Sequence, residues 1–350
     1  MKRKRTLPVI SFITAALLCL FWAAVIFSAV ELLMRFNVIK NTMYMRMLCG
    51  GEIHKPVRKV LAIGDGVMQN QFTGNSLYEY IEKEFKPLKY KILNLAFNGN
   101  GPREYVNLLK LYGKDYRPDS VMLIYSAGNT IAGVKQKEDM EFPRLNKALI
   151  NIDSALQRSY VYNWIIEKKN ILAERTLSFN RARAPKVSEE VINMAKAGAL
   201  DPNLIESAAK DADMLINSLM LDKPDDKAAL ERAAGYLREL KNECSKLGAE
   251  LLIVTVPDTL QVNDSHFELY RKCGFNISKE TLISDAPQDF AGNLCDSENI
   301  PYLDLLPYFR RKSHKEFYKE TSGRLNKEGA EFAGGIIVEY VVKNHTENRQ

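Results

Sequence analysis

Apolar runs that alternate with amphipathic segments constrain this fold most. KVLAIG (59–64) is a continuous buried strand, and SLYEYIEKEF (76–85) places Leu77, Tyr78, Ile81 and Phe85 at helical spacing. YKILNLAF (90–97) reads as the second strand, ending in the turn Asn98-Gly99-Asn100-Gly101-Pro102. REYVNLLKLYG (103–113) reads as a helix ending at Gly113, and SVMLIYSA (120–127) as the third strand. Strand, helix, strand, helix, strand at these lengths predicts a parallel sheet with right-handed crossovers.

Residues 131–224 interrupt the pattern. They hold no convincing strand, and segments such as SEEVINMAKAG read as helices, so a helical insertion at about 131–224 is expected. The alternation resumes with a helix over 225–248 and a fourth strand, ELLIVTVP (250–257). A short strand follows around Tyr302 to Leu305, then a last helix over 325–342 that packs back on the sheet. The expected fold class is α/β: a doubly wound parallel sheet in three α/β/α layers, spanning about 58–345.

The N-terminus reads differently. Lys2-Arg3-Lys4-Arg5 precedes residues 7–30, which carry no charge. A helix of that length spans ~36 Å, enough for a hydrocarbon core of ~30 Å. Residues 1–36 are therefore expected to be a cytoplasmic basic stub and a single transmembrane anchor, and 37–57 a connector. The main domain is then extracytoplasmic by the positive-inside rule. A cleaved signal peptide fits less well, because Phe27 and Trp22 stand three residues before the end of each candidate cleavage site, where a small residue is needed. Residues 1–60 carry a net charge of +8 and the remaining 290 residues −2, so the basic excess belongs to the anchor and no nucleic-acid partner is suggested. The five cysteines and four histidines show no metal-ligand spacing, and no metal or cofactor is expected. Cys273 and Cys295 are open to two readings, a disulfide or buried free thiols.

Four short blocks carry candidate chemistry. They are Ile63-Gly64-Asp65-Gly66; Asn94 to Gly101, with Gly99 inside; the run SAGNT (126–130), with Asn129; and FYKETSGRLNKEGAEFAG (317–334). Taken in order, these blocks resemble those of the SGNH, or GDSL, hydrolases. The resemblance implies a site at the carboxyl ends of the parallel strands and esterase-like chemistry. Gly66 stands where the family has its serine nucleophile. Arg324 stands at the histidine, and Thr321 and Ser322 at the two positions open to the acid. Thr130 replaces the aspartate of the third block. The backbone N–H groups of Gly66 and Gly99 and the side chain of Asn129 match the oxyanion donors. Leu325, Asn326 and Gly329 match the last block.

Acyl transfer needs a nucleophile, a base and an orienting acid, and none of the matched positions supplies one. Arg324 cannot replace a histidine base, because a guanidinium stays protonated. It suits an anionic or carbonyl group, or an ion pair with Asp65 or Glu320. Ser126 and Thr130 read as strand-end residues. His54 lies in the connector and His345 in the tail, while His266 and His314 read as surface or partly buried residues. The first expectation is a membrane-anchored pseudoenzyme that binds a glycan or acyl ligand, or an envelope partner, through Gly66, Gly99, Asn129 and Arg324. Two alternatives stand beside it. One is an active esterase or O-acyltransferase on cell-envelope polysaccharide with non-standard catalytic residues. The other is a structural assembly protein that uses the helical insertion.

Overall fold

A computed structural model describes residues 58–68, 76–96, 100–128, 187–197, 199–319 and 323–347, together with Trp22, Val25, Ile26, Ser28 and Ala29. The chain divides into two compact units, 1–52 with 142–177 and 53–141 with 178–350. The first lies almost wholly outside the described residues. The anchor expected at 7–30 lies outside them apart from those five positions. Among the described residues no helix is long and apolar enough to cross a membrane.

The second unit is built on five parallel strands: β1 (Arg58–Gly64), β2 (Tyr90–Asn94), β3 (Ser120–Ser126), β4 (Glu250–Val256) and β5 (Tyr302–Asp304). Their order is β2-β1-β3-β4-β5, and every neighbouring pair is parallel. The first crossover runs from β1 out to β2, and the next returns past β1 to β3. The order therefore reverses between β1 and β3, which leaves a crevice at their carboxyl ends.

Helices cover both faces, as a parallel sheet requires. On one face, α1 (Leu77–Phe85) and α11 (Lys327–Glu347) pack together. Leu77, Ile81 and Phe85 share a core there with Val60, Ala62, Ile337 and Val341. Ser76 caps α1 in a reciprocal box with Glu79. On the other face, α2 (Pro102–Tyr116) lies against α6 (Pro224–Leu247), with α9 (Ala286–Glu298) beside β5. The α/β layering expected from the sequence is present.

Several boundaries differ from expectation, most by a residue or two. β2 ends at Asn94, and α11 runs from Lys327 to Glu347. Helix α2 does not stop at Gly113; it continues to Tyr116, and Arg117 ends it in the left-handed conformation at φ 52°. Gly113 serves packing instead. A Cβ there would lie 2.6 Å from Leu247 Cδ1 and 3.0 Å from Leu109 Cδ1, so its bare backbone lets α2 approach α6.

Residues 187–224 of the insertion are helical, as α3 (Glu189–Lys196), α4 (Pro202–Lys210) and α5 (Met214–Met220). Val191, Leu200, Ile205 and Leu219 form a separate apolar cluster with Leu260, Tyr270, Cys273 and Phe275. These partners come from α7 (Thr259–Val262), α8 (Phe267–Lys272) and the chain after α8, all beyond the carboxyl end of β4. The remainder of the expected insertion, 131–186, lies outside the described residues.

Cys244, Cys273 and Cys295 are free and buried, so the disulfide reading of Cys273 and Cys295 is set aside. Burial pushes the Cys273 thiol up to about 11 and the other two to about 12, which leaves them inert packing groups.

Candidate functional site

The site begins at Gly64, the last residue of β1. A Cβ at Gly64 would sit 1.9 Å from the Ile124 carbonyl oxygen of β3, so the two backbones meet where only glycine fits. Asp65 follows and is fully buried. Its Oδ1 accepts from the Val67 N–H at 2.9 Å and its Oδ2 from the Ser126 N–H at 3.0 Å. Both are charge-assisted bonds to backbone. One ties the turn to itself, and the other ties it to the end of β3. The Met68 N–H closes the turn on the Asp65 carbonyl at 3.3 Å. Among the described contacts Asp65 and Arg324 form no ion pair, so that reading of Arg324 is set aside.

Gly66 sits on this turn, partly exposed. Among the described residues its N–H has no acceptor.

Two asparagines absent from the expected site set hold the second block against this turn. Asn94 is buried; its Nδ2 donates to the Met68 carbonyl at 2.9 Å, and its Oδ1 accepts from the Ala96 N–H at 2.9 Å. Asn100 Nδ2 donates to the Gly64 carbonyl at 3.2 Å, and the Asn100 carbonyl accepts from the Tyr105 hydroxyl at 3.3 Å. Burial pushes the Tyr105 phenol well above its ordinary value, so it stays a neutral donor. The segment carrying Gly99 is therefore pinned on both sides of 97–99, while Gly99 itself lies outside the described residues. The signal was present in the sequence as NLAFNGN, but the partners are 26 and 36 residues away.

At the third block, the Ala127 N–H donates to the Val256 carbonyl at 2.9 Å, extending β3 beside β4. A Cβ on Gly128 would meet Ser218 Oγ at 3.3 Å, so helix α5 of the insertion closes over this end of the sheet. Asn129 and Thr130 lie outside the described residues.

The last block forms a tight hairpin. Tyr318 and Leu325 pair as an antiparallel bridge, the Lys319 N–H donates to the Arg324 carbonyl at 2.7 Å, and the Gly323 N–H donates to the Lys319 carbonyl at 2.8 Å. Gly323 adopts φ 63°, and a Cβ there would lie 1.9 Å from the Tyr270 hydroxyl. Asn326 Oδ1 accepts from the Gly329 N–H at 2.8 Å and so caps α11. A Cβ on Gly329 would sit 2.1 Å from the Phe317 carbonyl oxygen. Asn326 and Gly329 thus dock the helix on the chain before it. Arg324 is partly buried, and among the described residues its guanidinium has no carboxylate partner. Glu320, Thr321 and Ser322 lie outside the described residues.

Two histidine side chains are described. His266 is 2% exposed, its Nδ1 lying 2.8 Å from Thr259 Oγ1 and 3.2 Å from Ser265 Oγ, with its ring edge-on to Tyr270. Thr259 is also fully buried. His314 is exposed on the turn after α10 (Leu306–Arg310). His54 and the side chain of His345 lie outside the described residues. Among the described contacts, no histidine touches the 64–68 turn.

The carboxyl edge also holds Asp304, at the end of β5, whose Oδ1 accepts from the Leu306 N–H at 2.9 Å. Desolvation pushes its carboxyl up from 3.8 to about 6, Asp285 adds to the rise, and the Leu306 N–H and Arg310 oppose it. The folded state therefore holds a proton more tightly than the unfolded chain. Stability falls as pH rises from about 4 to 6, and the full cost stands at pH 7. Asp304→Asn keeps an acceptor for Leu306 and removes that charge. Discounted for solvent screening, the variant is expected to be more stable at pH 7 by about 1 kcal/mol, with the gain gone at pH 4. Urea melts at the two pH values check this.

Solved structures similar to this chain include an acetyl xylan esterase at 12% identity, covering 81% of this chain and 99% of that one, with a TM-score of 0.40. An acetylxylan esterase of Geobacillus stearothermophilus, in a catalytic mutant form, is 12% identical over 82% of this chain and 94% of that one, with a TM-score of 0.39. A lipase/acylhydrolase of Enterococcus faecalis is 11% identical over 81% and 95%, with a TM-score of 0.41. No protein-family model matches the chain, and no curated protein matches it.

Proposed function

We propose that this chain is a non-hydrolysing protein on an esterase-like scaffold. Residues 7–30 anchor it in a membrane, with the main domain extracytoplasmic. The carboxyl edge of β1 and β3 binds a carbonyl, carboxylate or sulfate group of an acyl or glycan ligand, or of an envelope partner. The observation that carries this reading is the 64–68 turn. Its Asp65 frame is complete, the Gly66 N–H has no acceptor among the described residues, and no side chain is present at Gly66 to attack a bound group. Arg324 supplies a fixed positive charge at the matching position of the last block, and Gly99 and Asn129 supply the other donors. What persists of the four blocks is scaffold, and what is missing is the reacting part.

Gly66→Ser tests the reading. The variant restores a hydroxyl at the turn but no base, so its hydrolysis of an activated ester is expected to stay at background. A rise of about 100-fold or more would mean that a histidine reaches the turn and would contradict the proposal.

A second reading, an active esterase or O-acyltransferase with non-standard residues, draws on one observation: the 2.8 Å pair of Thr259 Oγ1 and His266 Nδ1. A hydroxyl on an imidazole nitrogen is the geometry of an activated nucleophile. Both groups are buried, however, and Gly323 and Tyr270 close over Thr259, so substrate has no path to the hydroxyl. The pair fits a satisfied structural histidine better.

A further inference from the structure

One stretch of the carboxyl edge concentrates positive charge. Residues 310–327 hold seven lysines and arginines against two glutamates, a net +5, while the rest of the chain beyond residue 60 carries −7. The stretch runs from the end of α10 through the 318–325 hairpin to the start of α11. Three of its cations are held by carboxylates: Arg310 by Asp285 at 2.6 Å, Lys315 by Glu328 at 2.5 Å and Lys327 by Glu331 at 4.0 Å. Arg311, Lys312, Lys319 and Arg324 have no carboxylate partner among the described contacts.

Two of these four stand on aromatic rings. The Arg311 guanidinium lies 5.2 Å from the Tyr308 ring centre, and its Nε donates to the Pro307 carbonyl at 3.2 Å. Lys312 Nζ lies 4.6 Å from the Phe332 ring centre, and Phe332 stacks on Phe317 at 4.8 Å. Such contacts hold a long cationic side chain in one place. The other two oppose each other across the hairpin. Tyr318 pairs with Leu325, so Lys319 and Arg324 form the next opposed pair, joined by the 2.7 Å bond from the Lys319 N–H to the Arg324 carbonyl. Tyr318 is buried, and strand alternation turns the Lys319–Arg324 face outward, away from the core. Like charges directly opposite on a hairpin destabilise it, and a bound anion removes that cost.

We infer that this ridge binds an acidic polysaccharide, a chain with a carboxylate or sulfate on successive sugars. Water and small ions solvate the cations of the free protein. A polyanion gains free energy by releasing condensed counterions, so no enclosed pocket is needed. Arg311 and Arg324 present planar guanidinium groups that suit carboxylate and sulfate. A single-stranded nucleic acid fits less well, since the Tyr308 and Phe332 rings already carry cations where bases would stack. A lipid surface also fits less well, because no large apolar side chain stands exposed among the described residues of 310–327. The ridge shares Arg324 with the proposed binding edge, but it needs neither the Gly66 turn nor the absence of hydrolysis.

The test titrates the full chain with polygalacturonate and dextran sulfate, and with neutral dextran and single-stranded DNA for comparison, by biolayer interferometry. At least one acidic polysaccharide is expected to bind, with its affinity falling about 10- to 50-fold between about 50 and 200 mM salt for roughly four charge contacts. Neutral dextran is expected not to bind, and DNA to bind more weakly. Lys319→Glu places an acid opposite Arg324, so it is expected to weaken binding roughly tenfold or more without lowering the melting temperature. Arg311→Ser combined with Lys312→Ser is expected to weaken it by a similar factor. Lys83→Gln combined with Lys86→Gln removes two exposed charges at the end of α1 and is expected to change the affinity less than about twofold. Absence of binding by both acidic polysaccharides overturns the proposal. So does binding that survives both ridge variants, or an equal loss in the variant of Lys83 and Lys86. Tighter binding of DNA overturns it too, because the ridge would then belong to a nucleic acid.

Discussion

Gly64→Ala is expected to prevent the domain from folding or to destabilise it by about 4 kcal/mol, at the extreme of single-residue effects. The added methyl would lie 1.9 Å from the Ile124 carbonyl oxygen, and that obstacle is backbone in the middle of the sheet. No rotamer change relieves it. Strands β1 and β3 would have to part at their carboxyl ends, breaking the ladder that pairs Gly64 with Ile124. Overpacking in a core usually costs about 1–3 kcal/mol because side chains can shift, and here they cannot. Expression level and the urea midpoint of the variant report the outcome. A midpoint within experimental error of the parent protein would mean that β1 and β3 are not in this register.

Asp65→Ala is the second large effect, expected at about 3 kcal/mol of lost stability. Removing the fully buried carboxylate strips the Val67 and Ser126 N–H groups of their acceptor at a part-buried turn. Asp65→Asn keeps one acceptor and turns the other position into a donor facing an N–H, so roughly half to all of the loss should remain. Chemical denaturation of the three proteins separates these cases. The aspartate matters to stability whether or not the protein has an activity, which is why its presence in the sequence says nothing by itself about catalysis.

The same distinction explains what could be read from the sequence. The first four strands were legible because each holds an apolar run bounded by turn residues, and β1 and β3 are buried on both faces; β5, Tyr302–Asp304, is short and only its middle residue is buried. The helix over 189–196 was legible from its periodicity. Gly113 was misleading, because a glycine late in a helical pattern resembles a stop signal, while its role here is set by Leu247, 134 residues further along the chain. The roles of Asn94 and Asn100, both inside the second block, could not be read for the same reason: their bonds to Met68 and Gly64 reach 26 and 36 residues along the chain and leave no local pattern. Asn326 and Gly329 are legible as a motif, but their work shows only in the fold, where they cap α11 and let it touch Phe317. Burial of His266 could not be read at all, since it depends on how α7, α8 and the 318–325 hairpin close around Thr259.

The proposed function rests on a site that holds a binding frame and no reacting group. Hydrolysis of p-nitrophenyl acetate by the full chain tests it most directly, with Asn129→Ala and His266→Ala measured alongside. The account predicts that all three proteins match buffer alone. Saturable turnover by the parent chain that falls in either variant would contradict it: a fall in Asn129→Ala would put a working nucleophile at the β1–β3 edge, and a fall in His266→Ala would put one at the Thr259–His266 pair.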